Sequence, residues 1–202
     1  MDVTRLIIVA VGGQGNLLAS RVLGEAALLA GVPVRMSEIH GMAQRGGVVE
    51  SAIVFGNARS TIISDGHADI LLGFEPAETL RAINKCNRNS TVITNLHPLP
   101  PFTVAIGKGK YPDLDRIQTL IRNKTKRLIA FDAVALAREA GNVLAVNMVL
   151  LGALLETGIL PLTKRQISEA LSTKTRKAFV EINLKALELG SQAAKQREQT
   201  SL

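Results

Sequence analysis

Apolar residues in this chain come in short runs set apart by longer stretches of mixed character. The runs at 6–11, 32–36, 48–55, 70–74, 91–96 and 127–131 have the length of strands and are rich in Ile, Val and Leu, as strands buried on both faces are. Several are separated by segments whose apolar positions recur at helical spacing. That alternation predicts an α/β fold, Rossmann-like and three-layered, with a mostly parallel sheet and a C-terminal helical segment. The first helix should follow the first strand directly, with Leu17, Leu18, Val22, Ala26 and Leu29 as its apolar stripe and Gly31 and Pro33 as its stop. Pro76 suits the first turn of a helix carrying Leu80 and Ile83, and Pro112 that of one carrying Ile117, Leu120 and Ile121. The proline-rich stretch 96–101 reads as a loop. Beyond it, 133–140 predicts a short helix, 143–160 a buried one, and 163–194 a solvent-facing helical pair or bend, with a frayed polar tail from about residue 195.

The 202 residues, 47% of them hydrophobic, suffice for one substantial core. No repeat or low-complexity segment marks a second unit, so residues 1–202 are read as a single domain. The N-terminus lacks the zones of a secretory signal. The apolar stretch 143–160 is interrupted by Asn147, Gly152, Glu156 and Gly158, which fits a buried helix better than a membrane span. Cys86 is the single cysteine; it excludes an intrachain disulfide and fits a reducing, cytoplasmic setting. One thiol cannot house an iron-sulfur cluster or a structural zinc, and His40, His67 and His97 are too scattered for a metal motif. No metal site is expected on this chain.

Charge is unevenly spread. Residues 1–80 carry five basic and eight acidic side chains, whereas 81–127 carry ten basic against only Asp113 and Asp115. Such a field suits an acidic protein, a polyphosphate ligand or nucleic acid. Nucleic acid is the poorest fit, because the chain has no Trp, one Tyr and five Phe with which to stack on bases and no recognised DNA-binding pattern.

Two groups of residues carry candidate chemistry. The first is Gly12-Gly13-Gln14-Gly15-Asn16 between the first strand and helix, where backbone N–H groups and a positive helix terminus converge on an anion and glycine lets a phosphate approach. It matches the dinucleotide fingerprint only in part, since Leu18 stands where a third glycine would be; Glu38, at the end of the second strand, is the candidate ribose-binding acid. The second is the run from Ser37 and Glu38 through His40 and Gly41 to Gln44, Arg45, Gly46 and Gly47. After a parallel strand it would lie at the sheet's carboxyl edge, facing the same crevice. There His40 could carry a proton and Arg45 could hold a carboxylate or phosphate.

Together the glycine turn, the segment Ser37-Glu38-Ile39-His40-Gly41-Met42-Ala43-Gln44-Arg45-Gly46-Gly47 and the stretch around Asn147 resemble the gamma-type domain of the 2-oxoacid:ferredoxin oxidoreductases, above all the indolepyruvate-oxidising members. The resemblance covers nearly the whole chain. It implies one subunit of an enzyme that oxidatively decarboxylates an arylpyruvate with coenzyme A, giving an acyl-CoA, carbon dioxide and reduced ferredoxin. It implies a larger partner subunit that holds thiamine diphosphate, Mg2+ and [4Fe-4S] clusters, because the only Asp-Gly pair here, Asp65-Gly66, lacks the rest of a thiamine-diphosphate motif. On this reading the two glycine groups contribute to the coenzyme A crevice, no residue is assigned as catalytic, His40 and Arg45 being the candidate contributors, and the basic segment 81–127 faces ferredoxin or the partner. The alternative is a free-standing NAD(P)-dependent reductase using Gly13, Gly15 and Glu38.

Overall fold

The computed structural model describes residues 2–41 and 47–199. Six strands form one sheet in the order β2-β3-β1-β4-β5-β6, comprising β1 (Thr4–Val11), β2 (Val34–His40), β3 (Val48–Phe55), β4 (Ala68–Gly73), β5 (Cys86–Asn95) and β6 (Arg127–Phe131). The β1-β4, β4-β5 and β5-β6 pairs are parallel, so the sheet is mostly parallel as predicted. β3 alone runs backwards, antiparallel to both β1 and β2. Among the described residues eight α-helices connect and cover the strands: α1 (Asn16–Leu29), α2 (Pro76–Arg81), α3 (Phe102–Ala105), α4 (Leu114–Lys124), α5 (Ala133–Ala140), α6 (Val146–Glu156), α7 (Lys164–Lys174) and α8 (Lys177–Gln199).

Strand alternation divides the core in two. Leu6 and Ile8 of β1, with Ile53, Ile70, Leu72 and Ile93, pack under α1, α5, α6, α7 and α8. Ile7 and Val9, with Val54, Leu71 and Val92, pack on the other side against Ile117 and Ile121 of α4 and the segment after α2. Each central strand therefore buries both faces, which accounts for its unbroken apolar sequence. This is the expected three-layer arrangement.

Several local expectations shift. The buried face of α1 runs through Ala19, Ser20, Val22, Leu23, Ala26 and Ala27, so Val22 and Ala26 lie inside as predicted while Leu17 and Leu29 face outwards. Small side chains win the inner face because the helix lies close to the sheet: a Cβ on Gly24 would come within 2.6 Å of Met36 Sδ. The helix expected over 143–160 is shorter. Asn142 caps a 3-10 turn at Val143–Ala145, after which α6 ends at Glu156 before the left-handed Gly158. The C-terminal pair is less solvent-facing than its composition suggests, since Ala186, Leu187 and Ala194 of α8 are buried. Gly152 and Gly190 let α6 and α8 meet backbone to backbone: a Cβ on Gly190 would lie 1.8 Å from the Val149 carbonyl oxygen. Helical structure also continues past residue 195, to Gln199. None of the described helices is long and apolar enough to cross a membrane.

Candidate functional site at the carboxyl edge of the sheet

The chain leaves β1 through a turn held from three sides. Gly12 N–H donates to Gly47 C=O at 2.8 Å, and Gln14 N–H to Val11 C=O at 3.2 Å. The Gln14 side chain accepts from Val11 N–H at 2.8 Å and donates to Phe74 C=O at 3.2 Å, tying the end of β1 to the segment just beyond β4. Gly13 and Gly15 take φ of 101° and 85°, conformations that side chains strain to adopt. Asn147 Nδ2 donates to Gly15 C=O at 3.3 Å, and its Oδ1 accepts from Met148 N–H at 2.9 Å. This buried side chain thus locks the turn to the start of α6.

Helix α1 begins with no side-chain cap. Its first N–H groups therefore stay available to an anion, and the helix dipole favours negative charge there. Asn16, in the first turn, is buried; Ser20 Oγ lies 3.4 Å from its Oδ1, while its Nδ2 has no partner among the described residues. Such a donor is costly to leave unsatisfied.

On the opposite side of β1 lies a crevice of about 590 Å3, lined by Val11 and Gly12, by Glu75, Glu78 and Arg81, and by parts of the segment 99–112. Its location follows from topology. After β1 the chain crosses to one face of the sheet and after the neighbouring, parallel β4 to the other, which opens a cleft between the two carboxyl ends. Glu75 is the N-cap of α2, with Pro76 in its first turn: Oε2 accepts from Glu78 N–H at 2.9 Å. Its Oε1 accepts from Tyr111 Oη and, at 3.2 Å, from Leu99 N–H. Desolvation, and then the hydrogen bond to Glu75, hold the Tyr111 hydroxyl well above its ordinary pKa. Glu78 Oε1 accepts from Arg81 Nη1 at 2.7 Å, whereas Oε2 is buried without a partner among the described residues. Desolvation pushes the Glu78 carboxyl above the usual range despite Arg81.

Sequence reasoning did not single out Glu75, Glu78 or Tyr111. The signal available was local: Glu75-Pro76-Ala77-Glu78 has an acidic residue before a helix-opening proline. Asn95, also missed, is wholly buried at the end of β5 and donates to Phe74 C=O at 3.1 Å while accepting from Ala133 N–H at 3.0 Å.

The second predicted group is only partly assembled. Ser37, Glu38 and His40 belong to β2 rather than to a loop, because the strand continues to His40 opposite Val49. Glu38 and His40 share one face, with His40 Nε2 3.4 Å from Glu38 Oε2; Ser37 points to the other face. Gly41 N–H donates to Val48 C=O at 3.2 Å, and Gly47 meets Gly12, so the β2-β3 connection does reach the glycine turn. Gln44, Arg45 and Gly46 lie outside the described residues. Because β3 separates β2 from β1, Glu38 sits two strands from the turn, on the order of 10 Å away. A ribose-binding acid belongs on the adjacent strand, so this insertion counts against the dinucleotide alternative.

Of the large apolar side chains left exposed among the described residues, seven lie at this edge: Leu17 opens α1, Ile39 and Val48 flank the hairpin, Val143 and Leu144 precede α6, and Leu99 and Phe102 border the crevice. Leu144 and Phe102 are 73% and 76% exposed. A ring of this kind around a site marks an interaction surface. Elsewhere, Cys86 is buried, with its thiol pushed up to about 11 by desolvation, which suits an inert packing residue. Among the described residues no cluster of His, Cys, Asp and Glu could hold a metal ion.

Known proteins are similar to this chain over almost its whole length. The family model for pyruvate ferredoxin/flavodoxin oxidoreductase matches residues 5–193. The indolepyruvate oxidoreductase subunit IorB of Thermococcus kodakarensis is 42% identical over 193 residues, covering 95% of this chain and 96% of that protein. Its counterpart in Archaeoglobus fulgidus is 40% identical, covering 92% of each. The fold is that of the keto/oxoacid ferredoxin oxidoreductase gamma subunit from Geobacter sulfurreducens PCA, with a TM-score of 0.70, 23% identity and coverage of 96% and 99% of the two chains. It also matches the 2-oxoglutarate:ferredoxin oxidoreductase from Magnetococcus marinus, solved with 2-oxoglutarate, coenzyme A and succinyl-CoA bound, with a TM-score of 0.73 and 18% identity over 97% of this chain and 32% of that one. An open glycine turn within a sheet of this order, on a chain alike from end to end, places the protein in the pyruvate ferredoxin/flavodoxin oxidoreductase family.

Proposed function

We propose that this chain is the small, non-autonomous subunit of an indolepyruvate:ferredoxin oxidoreductase, and that it supplies part of the coenzyme A site to a larger subunit. The observation that carries the substrate class is the identity with indolepyruvate oxidoreductase subunits along almost the full length of both chains. The reaction converts an arylpyruvate and coenzyme A to an aryl-acetyl-CoA and carbon dioxide, with the two electrons passed to ferredoxin. Thiamine diphosphate with Mg2+ supplies the carbanion chemistry and [4Fe-4S] clusters the electron path. The larger subunit holds both, since a lone buried cysteine and no metal-competent cluster among the described residues give them no place here.

The role of this chain is to bind and orient. The N–H groups of Gly13 and Gly15 and of the uncapped first turn of α1, with Asn16 Nδ2, suit a coenzyme A phosphate. Gly12 and Gln14 shape the turn, while Gly41 and Gly47 hold the hairpin against it. His40, paired with Glu38, and Arg45 at the hairpin connection are further polar contributors on this reading; Ser37, facing the other way, contributes only through the strand. The exposed apolar ring seats on the larger subunit and closes the crevice against water. Exposed Arg116, Arg122 and Lys124 on α4 offer acidic ferredoxin a landing surface. The setting is cytoplasmic.

Co-expression with the larger subunit, followed by an anaerobic assay of coenzyme A-dependent ferredoxin reduction, tests this reading. Activity requiring both chains, with arylpyruvates preferred to pyruvate, is the expected result. Assembly with activity only on another 2-oxoacid would overturn the substrate class, and NAD(P) binding by this chain with no assembly would overturn the function.

A further inference from the structure

The crevice between β1 and α2 is made from groups opposite in character to those of the glycine turn. Glu75 already accepts three hydrogen bonds, and its carboxylate occupies the N-terminus of α2, so no anion can settle there. Glu78 is half used: one oxygen serves Arg81 while the other is buried and lacks a donor. The residue is only 8% exposed, yet it lines the cavity. Because Glu78 lines the cavity, a group entering it can supply the donor that the unused oxygen lacks. The walls, formed by Leu80, Leu99, Pro100, Pro101, Phe102 and Val104, are apolar.

The charges around Glu78 restrict what the cavity can hold. Arg81 and Lys110 line it as well, and with Glu75 and Glu78 the four formal charges cancel. A free cation would meet Arg81 and Lys110 as well as the carboxylates, and an anion Glu75 and Glu78 as well as the cations, so the lining favours neither sign. What remains is an uncharged, slender or flat group with an N–H to donate. On the other side of Gly12, the orphan group is a donor, Asn16 Nδ2, beside the open end of α1. The edge thus offers unused donors on one side of β1 and an unused acceptor on the other.

We infer that this crevice is the receptor for an uncharged N–H-bearing arm of the ligand whose anionic part rests on the glycine turn, and that Glu78 reads that N–H. The inference rests on the coenzyme A reading above. Coenzyme A offers this chemistry twice, in the amides of its pantetheine arm and in its adenine amine.

The test uses the assembled two-subunit enzyme. Binding of coenzyme A is measured by titration calorimetry, and pantetheine and adenosine 3′,5′-diphosphate by their competition with it, for the natural chain, Glu78→Gln and Phe102→Ala. In Glu78→Gln, Arg81 holds the amide oxygen, so the NH2 group faces the ligand donor. Coenzyme A affinity falls roughly tenfold or more, the loss expected when an acceptor for a buried N–H is removed. Phe102→Ala, at an exposed wall position, gives a smaller, severalfold loss. KM for coenzyme A rises while KM for the 2-oxoacid stays put. If the Glu78→Gln loss carries over to pantetheine, the arm is the pantetheine; if to the adenosine diphosphate, it is the adenine. Unchanged binding of coenzyme A in both variants overturns the inference while leaving the coenzyme A reading intact, as does a loss confined to an indole-bearing substrate. Failure of the natural complex to bind coenzyme A overturns both.

Discussion

Two helices begin at the same edge of the sheet, and they begin in opposite ways. Helix α2 is closed by its own sequence: Glu75 caps it, Pro76 opens it, and Tyr111 and Leu99 saturate the cap. Helix α1 starts from a left-handed glycine with no cap at all, and the nearest polar side chain, Asn16, keeps a donor unused. A side-chain cap contributes about 1 kcal/mol, but position 15 cannot carry one without strain, since its φ is 85° and a Cβ there would lie 2.6 Å from Asn147 Nδ2. The shape of the turn thus leaves the end of α1 open to something outside the chain, whereas the closed end of α2 serves the fold.

The comparison breaks most sharply if the closed end is opened. Glu75→Ala removes the cap and strands the Tyr111 hydroxyl and Leu99 N–H, so it should cost about 3 kcal/mol, read as a fall in Tm of roughly 10 °C by calorimetry. If stability hardly changed, Glu75 would not be holding α2 in place. Next comes Gly15→Ala. With φ at 85° and a Cβ that would lie 2.6 Å from Asn147 Nδ2, it should cost about 2 kcal/mol in denaturant unfolding, and coenzyme A affinity should fall with it. Gly13→Ala sharpens the contrast, because φ is 101° there but nothing lies within 4 Å of the added Cβ. It should cost only about 1 kcal/mol yet weaken coenzyme A as much as Gly15→Ala does; an intact affinity would count against phosphate binding at the turn.

The smallest effect separates stability from binding. Desolvation raises the Glu78 carboxyl in the folded chain, against the opposing pull of Arg81 and with Glu75 adding to it. A carboxyl raised on folding adds stability below its unfolded-state pKa, and that contribution is lost as pH rises through the folded-state value. Glu78→Gln should therefore match the natural chain in acid and become slightly more stable near neutral pH. Ligand binding runs the other way. Protonation turns an acceptor into a donor, so coenzyme A affinity of the natural enzyme should drop as pH falls through that raised value, while the Gln variant stays flat. Identical pH profiles for the two proteins would remove Glu78 from the site.

Most of the framework was legible because it rests on short-range pattern. All six strands lie within a few residues of their apolar runs, and the stop of α1 and the proline opening of α2 follow from single residues. Strand direction was not legible, since a buried run reads the same both ways; only the short connection between β2 and β3 hinted at a hairpin. Half of the candidate site was visible as glycines. The other half depends on Glu75 meeting Tyr111 from 36 positions away, and spacing in the sequence carries no trace of such a meeting. The outward turn of Leu17 was hidden for a related reason. Small residues at Ala19, Ser20 and Ala27 claimed the inner face of α1, and the preference for leucine inside gave way to the closeness of the sheet.

The bond from Asn147 to Gly15 joins residues 132 positions apart, and this separation has a consequence in time. The turn takes one of its restraints from α6, and α6 is seated backbone to backbone on α8. Until α6 and α8 have been made and packed, the glycine turn has its ties to Gly47, Val11 and Phe74 but lacks the one to Asn147. The site is thus completed only after most of the chain has emerged, and a copy truncated before α8 presents its partner with an unfinished surface.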